Sequence, residues 1–398
     1  MTDDVLAAAP PRRRLPHIPE DSLLASVLLS FLATAGLFYV NIMAALVDGL
    51  ISGAGLTPKQ AGLVASANVY GAALGALIAV LIIRRLPWRP TALSVLCGLI
   101  VVDLISTLIK APEALIGLRF FHGMIGGLLV GVAFAVIART KTPDRTFGML
   151  LVVQFGLGGL GLMFLPRLVP VFGHGVLFLA LAAFSAVTLA MTPFLGVYAP
   201  RPAPSPLAAR AVTRWVPLIL AFAAIFLFQA ANMGLAAYII GLGKAAGLGL
   251  GLITGTLGAA NWIGALGSML VVAIGVRFGR FWPLMAGLAL TLGGTWAFHF
   301  SGLPWIFLIA NIGTAVTWAF VIPYLLGMCA AFDTVGQMAA LGGFFSKMGL
   351  ASGPALAAFV VAGGRYDGLI NLAVAGLLLS GLASIAPALA LDRQRPPA

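Results

Sequence analysis

Charge is what this sequence has least of. Only 9% of its 398 residues are charged, and acids are the scarcest, 11 Asp and Glu against 23 Lys and Arg. With 61% of residues hydrophobic, the chain holds more apolar surface than one soluble core could bury, because cores stop growing near about 250–300 residues. Cysteine is limited to Cys97 and Cys329, both inside apolar runs. They read as small core residues and speak against a disulfide framework or a thiolate metal site. The four histidines are His17, His122, His174 and His299, and no H-E-x-x-H, G-x-S-x-G or P-loop pattern occurs. No enzyme activity, metal or organic cofactor is therefore expected. A net charge of +12 would suit a nucleic-acid binder, but its distribution along the chain assigns it another role.

What fills the chain is a succession of apolar runs, each long enough to cross a bilayer as a helix of about 20 residues. Twelve can be counted. Six begin near Ser22, Pro58, Pro90, Pro112, Thr146 and Gly175, and six more near Trp215, Leu248, Pro283, Leu303, Gly336 and Gly368. The first, Ser22 to Ile51, is far longer than a signal-peptide core of about 7–15 residues, so it reads as an uncleaved span. It follows a polar tail, residues 1–21, that carries Arg12, Arg13, Arg14, Pro16 and Pro19. A Pro- and Arg-bearing linker, 197–214, separates a 22–196 bundle from a 215–391 bundle, and a short tail, 392–398, closes the chain. The expected fold is an all-α membrane protein of twelve transmembrane helices in two six-helix bundles. Glycine, at 49 residues, supplies the small side chains through which helices pack in lipid.

The basic residues follow this threading. With both termini inside, the cytoplasmic segments hold sixteen of the 23 Lys and Arg, in clusters that include Arg84, Arg85 and Arg89, Arg139, Lys141 and Arg145, Arg201, Arg210 and Arg214, and Arg393 and Arg395. The opposite side holds Lys59, Lys110, Arg167, Lys244 and Arg365, and only Arg119 and Lys347 fall at membrane depth. That bias sets both ends in the cytoplasm and turns the basic balance toward anionic headgroups rather than nucleic acid. The halves also repeat. A shift of 192 residues carries Gly75 onto Gly267, Arg85 onto Arg277 and Gly161 onto Gly353. Two parallel six-helix repeats suit alternating access better than a channel.

The stretch LIGLRFFHGMIGG, residues 115–127, lies inside the fourth run. Arg119, His122, Gly123, Gly126 and Gly127 fall at i, i+3, i+4, i+7 and i+8, so cations and close-packing glycines share one helical face. An arginine at that depth costs about 2.5–3.5 kcal/mol to insert and needs a partner. Asp103 is the candidate. It lies about seven residues before the outer end of span three, and Arg119 about seven residues after the start of span four, so both sit about 10 Å deep. The pair reads either as a static bridge that helps insertion or as a proton-linked switch.

This face resembles the fourth-helix signature of the major facilitator superfamily, with His122 where that family usually has glutamine. GVRFGRF, residues 275–281, resembles the family's loop between spans eight and nine, with Val276 in place of its acid. The counterpart IIRRLPWRP, 82–90, also lacks an aspartate. In span eleven, Gly349 and Gly353–Pro354 resemble the G-x-x-x-G-P element of exporters, but span five has Leu162 where that proline would stand. The resemblance implies that spans one, four, seven and ten line a central cavity. It nominates Tyr39, Asn41, Arg119, His122, Gln229, Asn232, Asn311 and Trp318 for substrate binding, with Thr314 on the face of Asn311. It nominates Asp48, Asp103 and Arg119 for proton coupling. Lys347 joins the substrate set because it lies about eleven residues into span eleven, near the midplane, while Asp333 and Asp367 lie at the ends of their spans. Its partner is either an anionic solute or backbone carbonyls in a wet cavity.

The expected function is secondary transport of a small organic solute, an organic anion in the reading that follows from Lys347. It would be driven by protons, in a monomer within a bacterial-type inner membrane, with lipids as its other partners. Efflux of neutral or amphipathic compounds, or a non-transporting receptor or membrane enzyme, are the alternatives. The topology is testable first. In a variant freed of Cys97 and Cys329, a cysteine introduced within 197–214 should react with an impermeant thiol reagent only from the cytoplasmic side. Labelling from outside would overturn the orientation and the repeat assignment together.

Overall fold

Helices in this chain start where proline allows them to. A proline in the first turn gives up an N–H that would have no partner there, and its fixed φ already suits the helix. Pro58, Pro112, Pro143 and Pro304 each open a helix. Spans three and nine begin two residues before Pro90 and Pro283, at Trp88 and Phe281, because those prolines still fall within the first turn. The computed structural model describes residues 17–82, 86–198, 215–275, 277–332, 337–361 and 364–394. Arg12, Arg13, Arg14, Pro16, Arg84, Arg85, Arg201, Arg210, Arg214, Val276, Asp333, Gly336 and Arg395 lie outside them, as does most of the 197–214 linker.

Span one comprises the helices Leu23–Ala35, Phe38–Asn41 and Met43–Ala54. Spans two to six are Pro58–Ile82, Trp88–Leu108, Pro112–Ile137, Pro143–Phe172 and Gly175–Met191, the last extended by a 3-10 turn to Phe194. Span seven is Trp215–Ala237 continued by Ile239–Ala245, and span eight is Leu250–Ile274. Spans nine to twelve are Phe281–Ala297, Pro304–Ala331, Gln337–Val361 and Tyr366–Asp392. Eleven of the described helices are long and apolar enough to cross a membrane, and the broken first span makes the twelfth. The continuous apolar run from Ser22 to Ile51 reads as one helix in the sequence. The structure corrects this with breaks at Gly36–Leu37 and at Ile42.

The repeat is visible in the helix starts. Leu23 and Trp215, Pro58 and Leu250, and Pro112 and Pro304 each lie 192 residues apart. It is visible in packing as well. A Cβ added to Gly75 would lie 1.9 Å from the Met124 carbonyl oxygen, and one added to Gly267 would lie 2.0 Å from that of Val316, which is Met124 shifted by 192. Spans two and four therefore meet backbone to backbone, as do spans eight and ten. Gly71, Gly123 and Gly127 continue the contact in the first half, each with a carbonyl oxygen within about 2 Å of where a side chain would begin. Gly36 lets span one lean on span four in the same way, against the Gly126 carbonyl.

The two halves meet along two seams, span two against span eleven and span five against span eight. The 192-residue shift converts one seam into the other. Polar contacts join the halves between the middle of the bilayer and the face away from the chain ends. Arg167 donates from Nε to Thr254 Oγ1 at 2.7 Å and from Nη2 to the Gly251 carbonyl at 3.0 Å. Lys244 pairs with Asp48 at 2.6 Å, and the Tyr238 hydroxyl donates to the Pro58 carbonyl at 2.8 Å. Nearer the middle, Tyr70 and Ser352 share a hydrogen bond at 2.8 Å, and Trp262 donates to the Gly156 carbonyl at 3.1 Å.

At the other face the loop of Gly275 to Phe281 turns through two glycines with positive φ, Gly275 at 53° and Gly279 at 80°. The acid missing from that loop is supplied by span twelve. The Asp392 carboxylate accepts from the Arg280 and Phe281 amides at 2.8 and 2.9 Å and so caps span nine. The outer surface of the bundle is apolar, with side chains such as Leu108 and Val272 more than four-fifths exposed where lipid would lie. Cys329 is buried, but Cys97 is on that surface and is not the core residue its apolar context suggests.

The glycine seams can be tested directly. Gly75→Val and Gly267→Val each drive a side chain into a carbonyl, and each should lower stability by about 1–3 kcal/mol, read as a fall in Tm of the detergent-purified protein. Gly255→Val, where a Cβ meets nothing within 4 Å, is the control and should leave Tm nearly unchanged. Equal effects at all three positions would remove the seams as a packing constraint.

Candidate functional site

A cavity of about 400 Å³ lies between the halves. Spans one, two, five, seven, eight, ten and eleven line it, and most of its wall is apolar, with residues such as Leu37, Val40, Met43, Leu257 and Leu350. Its polar groups are Asn41, Gln154, Asn232, Asn261, Asn311, Thr314, Trp318 and Lys347. No carboxylate is among the described lining residues.

The helices orient these groups. Asn232 and Asn311 donate their amide N–H to carbonyls one turn back, Phe228 at 2.8 Å and Phe307 at 2.7 Å, so each leaves its amide oxygen as the free end. Asn261 donates to the Phe155 carbonyl at 3.4 Å. Asn41 ends the short turn Phe38–Asn41, just before the break at Ile42, and its buried Nδ2 has no protein partner. Trp318 is fixed from behind. Its Nε1 donates to Gln229 Oε1 at 2.8 Å, and Gln229 Nε2 donates to Ser346 Oγ at 2.8 Å. That chain ends beside Lys347. Among the described residues nothing accepts a hydrogen bond from Lys347 Nζ or pairs with it. The cavity thus presents the Lys347 amino group and an amide N–H, both without acceptors among the described residues, beside a locked indole.

A second polar cluster is sealed inside the first half. Arg119 and Asp103 are both fully buried, and Arg119 Nη1 donates to Asp103 Oδ1 at 2.7 Å. Nη2 donates to the Val102 carbonyl at 3.1 Å and to Ser106 Oγ, and the guanidinium lies 4.7 Å from the centre of the Phe178 ring. Asn68 Nδ2 donates to the Arg119 carbonyl at 3.1 Å, which fixes the orientation of that amide. The same nitrogen lies 2.8 Å from His122 Nδ1, so Nδ1 must be the acceptor and the imidazole proton sits on Nε2. Nε2 then donates to Asp103, with its oxygens at 3.2 and 3.3 Å. His122 is neutral in this arrangement, and the cluster carries no net charge. Tyr39 stands against it, its ring 6.0 Å from the imidazole and its buried hydroxyl without a protein partner.

The nominated residues therefore separate into groups. Asn41, Asn232, Asn311, Trp318 and Lys347 line the cavity, and Gln229 lies behind Trp318. Arg119, His122 and Tyr39 do not line it. The face that Arg119 and His122 share points at spans two and three, where the glycine contact and Asp103 hold it, and Tyr39 packs against His122 from span one, so in this structure none of the three lines that cavity. Asp48 is not in the cavity either, since its carboxylate is held by Lys244. Sequence reasoning missed Gln154 and Asn261, which come from spans five and eight rather than from the four spans the resemblance singled out. It also missed Asn68, although Asn68 shares the face of Gly71 and Gly75 at helical spacing and so could have been found. Among the described residues no group of three or more His, Cys, Asp or Glu could hold a metal.

No protein-family model matches the sequence, and no curated protein matches it. Solved structures do match the fold. The peptide transporter POT superposes with a TM-score of 0.73 at 15% identity, covering 96% of this chain and 97% of that one. A complex of the same transporter with sulfate gives 0.69 at 15% identity. The nucleoside transporter NupG gives 0.69 at 15% identity, covering 92% of this chain and 98% of that one. The architecture is the twelve-helix fold of the major facilitator superfamily, two six-helix bundles related by a parallel repeat.

The buried pair yields a double-mutant test. Asp103→Asn leaves a guanidinium in low dielectric without its counter-charge and should cost about 3–5 kcal/mol, seen as lost folded yield or a lower Tm. Combining it with Arg119→Gln should recover part of that loss. If the two single effects simply add, the residues are not coupled.

Proposed function

We propose that this chain is a secondary transporter for a small organic anion, working by alternating access and driven by protons. The observation that carries the reading is the central cavity. It is enclosed by two pseudo-symmetric bundles, and its only charged lining group among the described residues is an ammonium without a partner, Lys347. Lining amides add donors and acceptors for the polar end of a solute, and the apolar wall with Trp318 suits its body. The fold-mates named above are a nucleoside transporter and a peptide transporter, which supports transport as the class of activity.

A single chain supplies both halves, so the proposed unit is a monomer. The orientation proposed has both ends in the cytoplasm of a bacterial-type inner membrane, on the strength of the charge bias. In that orientation the contacts made by Arg167, Lys244 and Tyr238 lie on the outer side. The apolar lining also supports a second reading, transport of neutral amphipathic compounds.

Uptake into proteoliposomes separates the two. A panel of labelled monocarboxylates and their neutral amides should show transport of at least one carboxylate, stimulated by an inwardly directed proton gradient. Lys347→Arg should keep the exchange of labelled for unlabelled carboxylate across the membrane, since it keeps the charge. Lys347→Met should reduce it by about tenfold or more, since a charge-assisted hydrogen bond contributes about 1.5–3 kcal/mol. Transport of the amides that is indifferent to Lys347→Met would favour the second reading, and transport of neither series would remove both.

A further inference from the structure

Among the described residues, Asp103, Asp48 and Lys347 are candidates to carry the proton that drives such a cycle, and their surroundings differ. Asp103 is fully buried, paired with Arg119 and hydrogen-bonded by His122, away from the cavity. Asp48 is held by Lys244 at the seam between the halves. Each carboxylate already has its counter-charge, so a proton arriving there would have to break an ion pair that does not line the cavity. Lys347 is different. It lines the cavity, and among the described residues it has neither a carboxylate nor a hydrogen-bond acceptor.

We infer that Lys347 is itself the coupling site, so that one proton on its Nζ travels with each solute anion. This rests on the anion reading above. A neutral amine offers a carboxylate a hydrogen bond but no charge, so the anion binds the ammonium form. By linkage, the bound anion then holds the proton on Nζ to the same degree. The balance is simple. Nζ takes a proton from water on the loading side and the carboxylate pairs with the resulting ammonium. On the other side the anion leaves and the proton returns to water, and the lysine goes back as the free amine. The loaded and empty cavities both avoid an unpaired charge in low dielectric, and the transported pair is electroneutral.

Among the described residues no other titratable group competes at that position. Span eleven packs on spans two, seven, ten and twelve. Trp215–Ala237 of span seven has no titratable side chain. On span two, Lys59 lies over the Phe359 ring and Tyr70 bonds to Ser352. On span ten, Tyr324 donates to the Gly275 carbonyl, and Cys329 is buried against Gly342, more than one helical turn from Lys347. On span twelve, Tyr366 packs against Gly241 and Asp367 faces His299, both at one end, while Asp392 caps span nine at the other.

The test measures protons directly. Full-length protein in detergent, weakly buffered with an indicator dye, is titrated with benzoate, and with benzamide as the neutral control, between about pH 7 and pH 10. Wild type should take up protons as benzoate binds, approaching about one per anion at the alkaline end, where its affinity falls about tenfold per pH unit. Lys347→Arg keeps a permanent charge and should bind benzoate with no uptake. Folded Lys347→Met, checked by gel filtration, should lose benzoate binding. Benzoate binding by wild type without proton uptake anywhere in the range, or uptake retained in Lys347→Arg, overturns the inference and leaves the anion reading standing. Failure of wild type to bind benzoate, or tighter binding of benzamide, counts against the anion reading and takes the inference with it.

Discussion

A charge inside a bilayer has to find its opposite within the protein, and this constraint organises the polar interior of the molecule. Water cannot reach most of the bundle, and the cost of an unpaired ion there exceeds what helix packing can offset. Asp103 and Arg119 meet this requirement inside one half, where Ser106 accepts from Arg119, His122 donates to Asp103 and Asn68 holds His122 in place. Asp48 and Lys244 meet it across the two halves. Lys347 is the one charged cavity group among the described residues that the protein leaves without an opposite. What compensates it has to come from outside the chain, as a solute or as the loss of its proton.

The two halves share a backbone plan but not a charge plan. Shifting the positions of Asp103, Arg119 and His122 by 192 residues gives Thr295, Asn311 and Thr314. Where the first half buries an ion pair, the second has three neutral polar groups, and two of them face the cavity. Gly123 and Gly127 are likewise matched by Ala315 and Ala319, so the span eight–span ten seam has fewer backbone contacts than the span two–span four seam. The second half supplies more of the polar lining, together with Lys347.

How much of this could be read from the sequence depends on how local each feature is. Helix starts were legible at Pro58, Pro112, Gly175 and Trp215, because proline and charge punctuate the apolar runs there. The Asp103–Arg119 pair was legible because both residues lie at one depth on consecutive helices. The breaks at Gly36 and Tyr238 were not, since hydropathy runs through them without interruption and only the approach of span four to Gly36 makes the first intelligible. The face that Arg119 turns to was misread. Spacing shows which residues share a face, but not which neighbour that face meets. Lys244 and Asp48, like Gln154 and Asn261, depend on how the halves dock, and no periodicity within one span carries that.

The breaks in spans one and seven divide those helices into rods of unequal length. Beyond Ile42, Met43–Ala54 is a rod of about 18 Å, and beyond Tyr238, Ile239–Ala245 is one of about 10 Å. Lys244 and Asp48 tie these two rods to each other, and Tyr238 ties the joint of the second to the start of span two. A swing of about 15° at the joint of the longer rod would carry its tip about 5 Å and Asp48, midway along it, about 2 Å, enough to part the 2.6 Å ion pair while Asn41 and Asn232, on the other side of the joints, keep their places in the wall. The breaks would let the mouth of the molecule move without its floor.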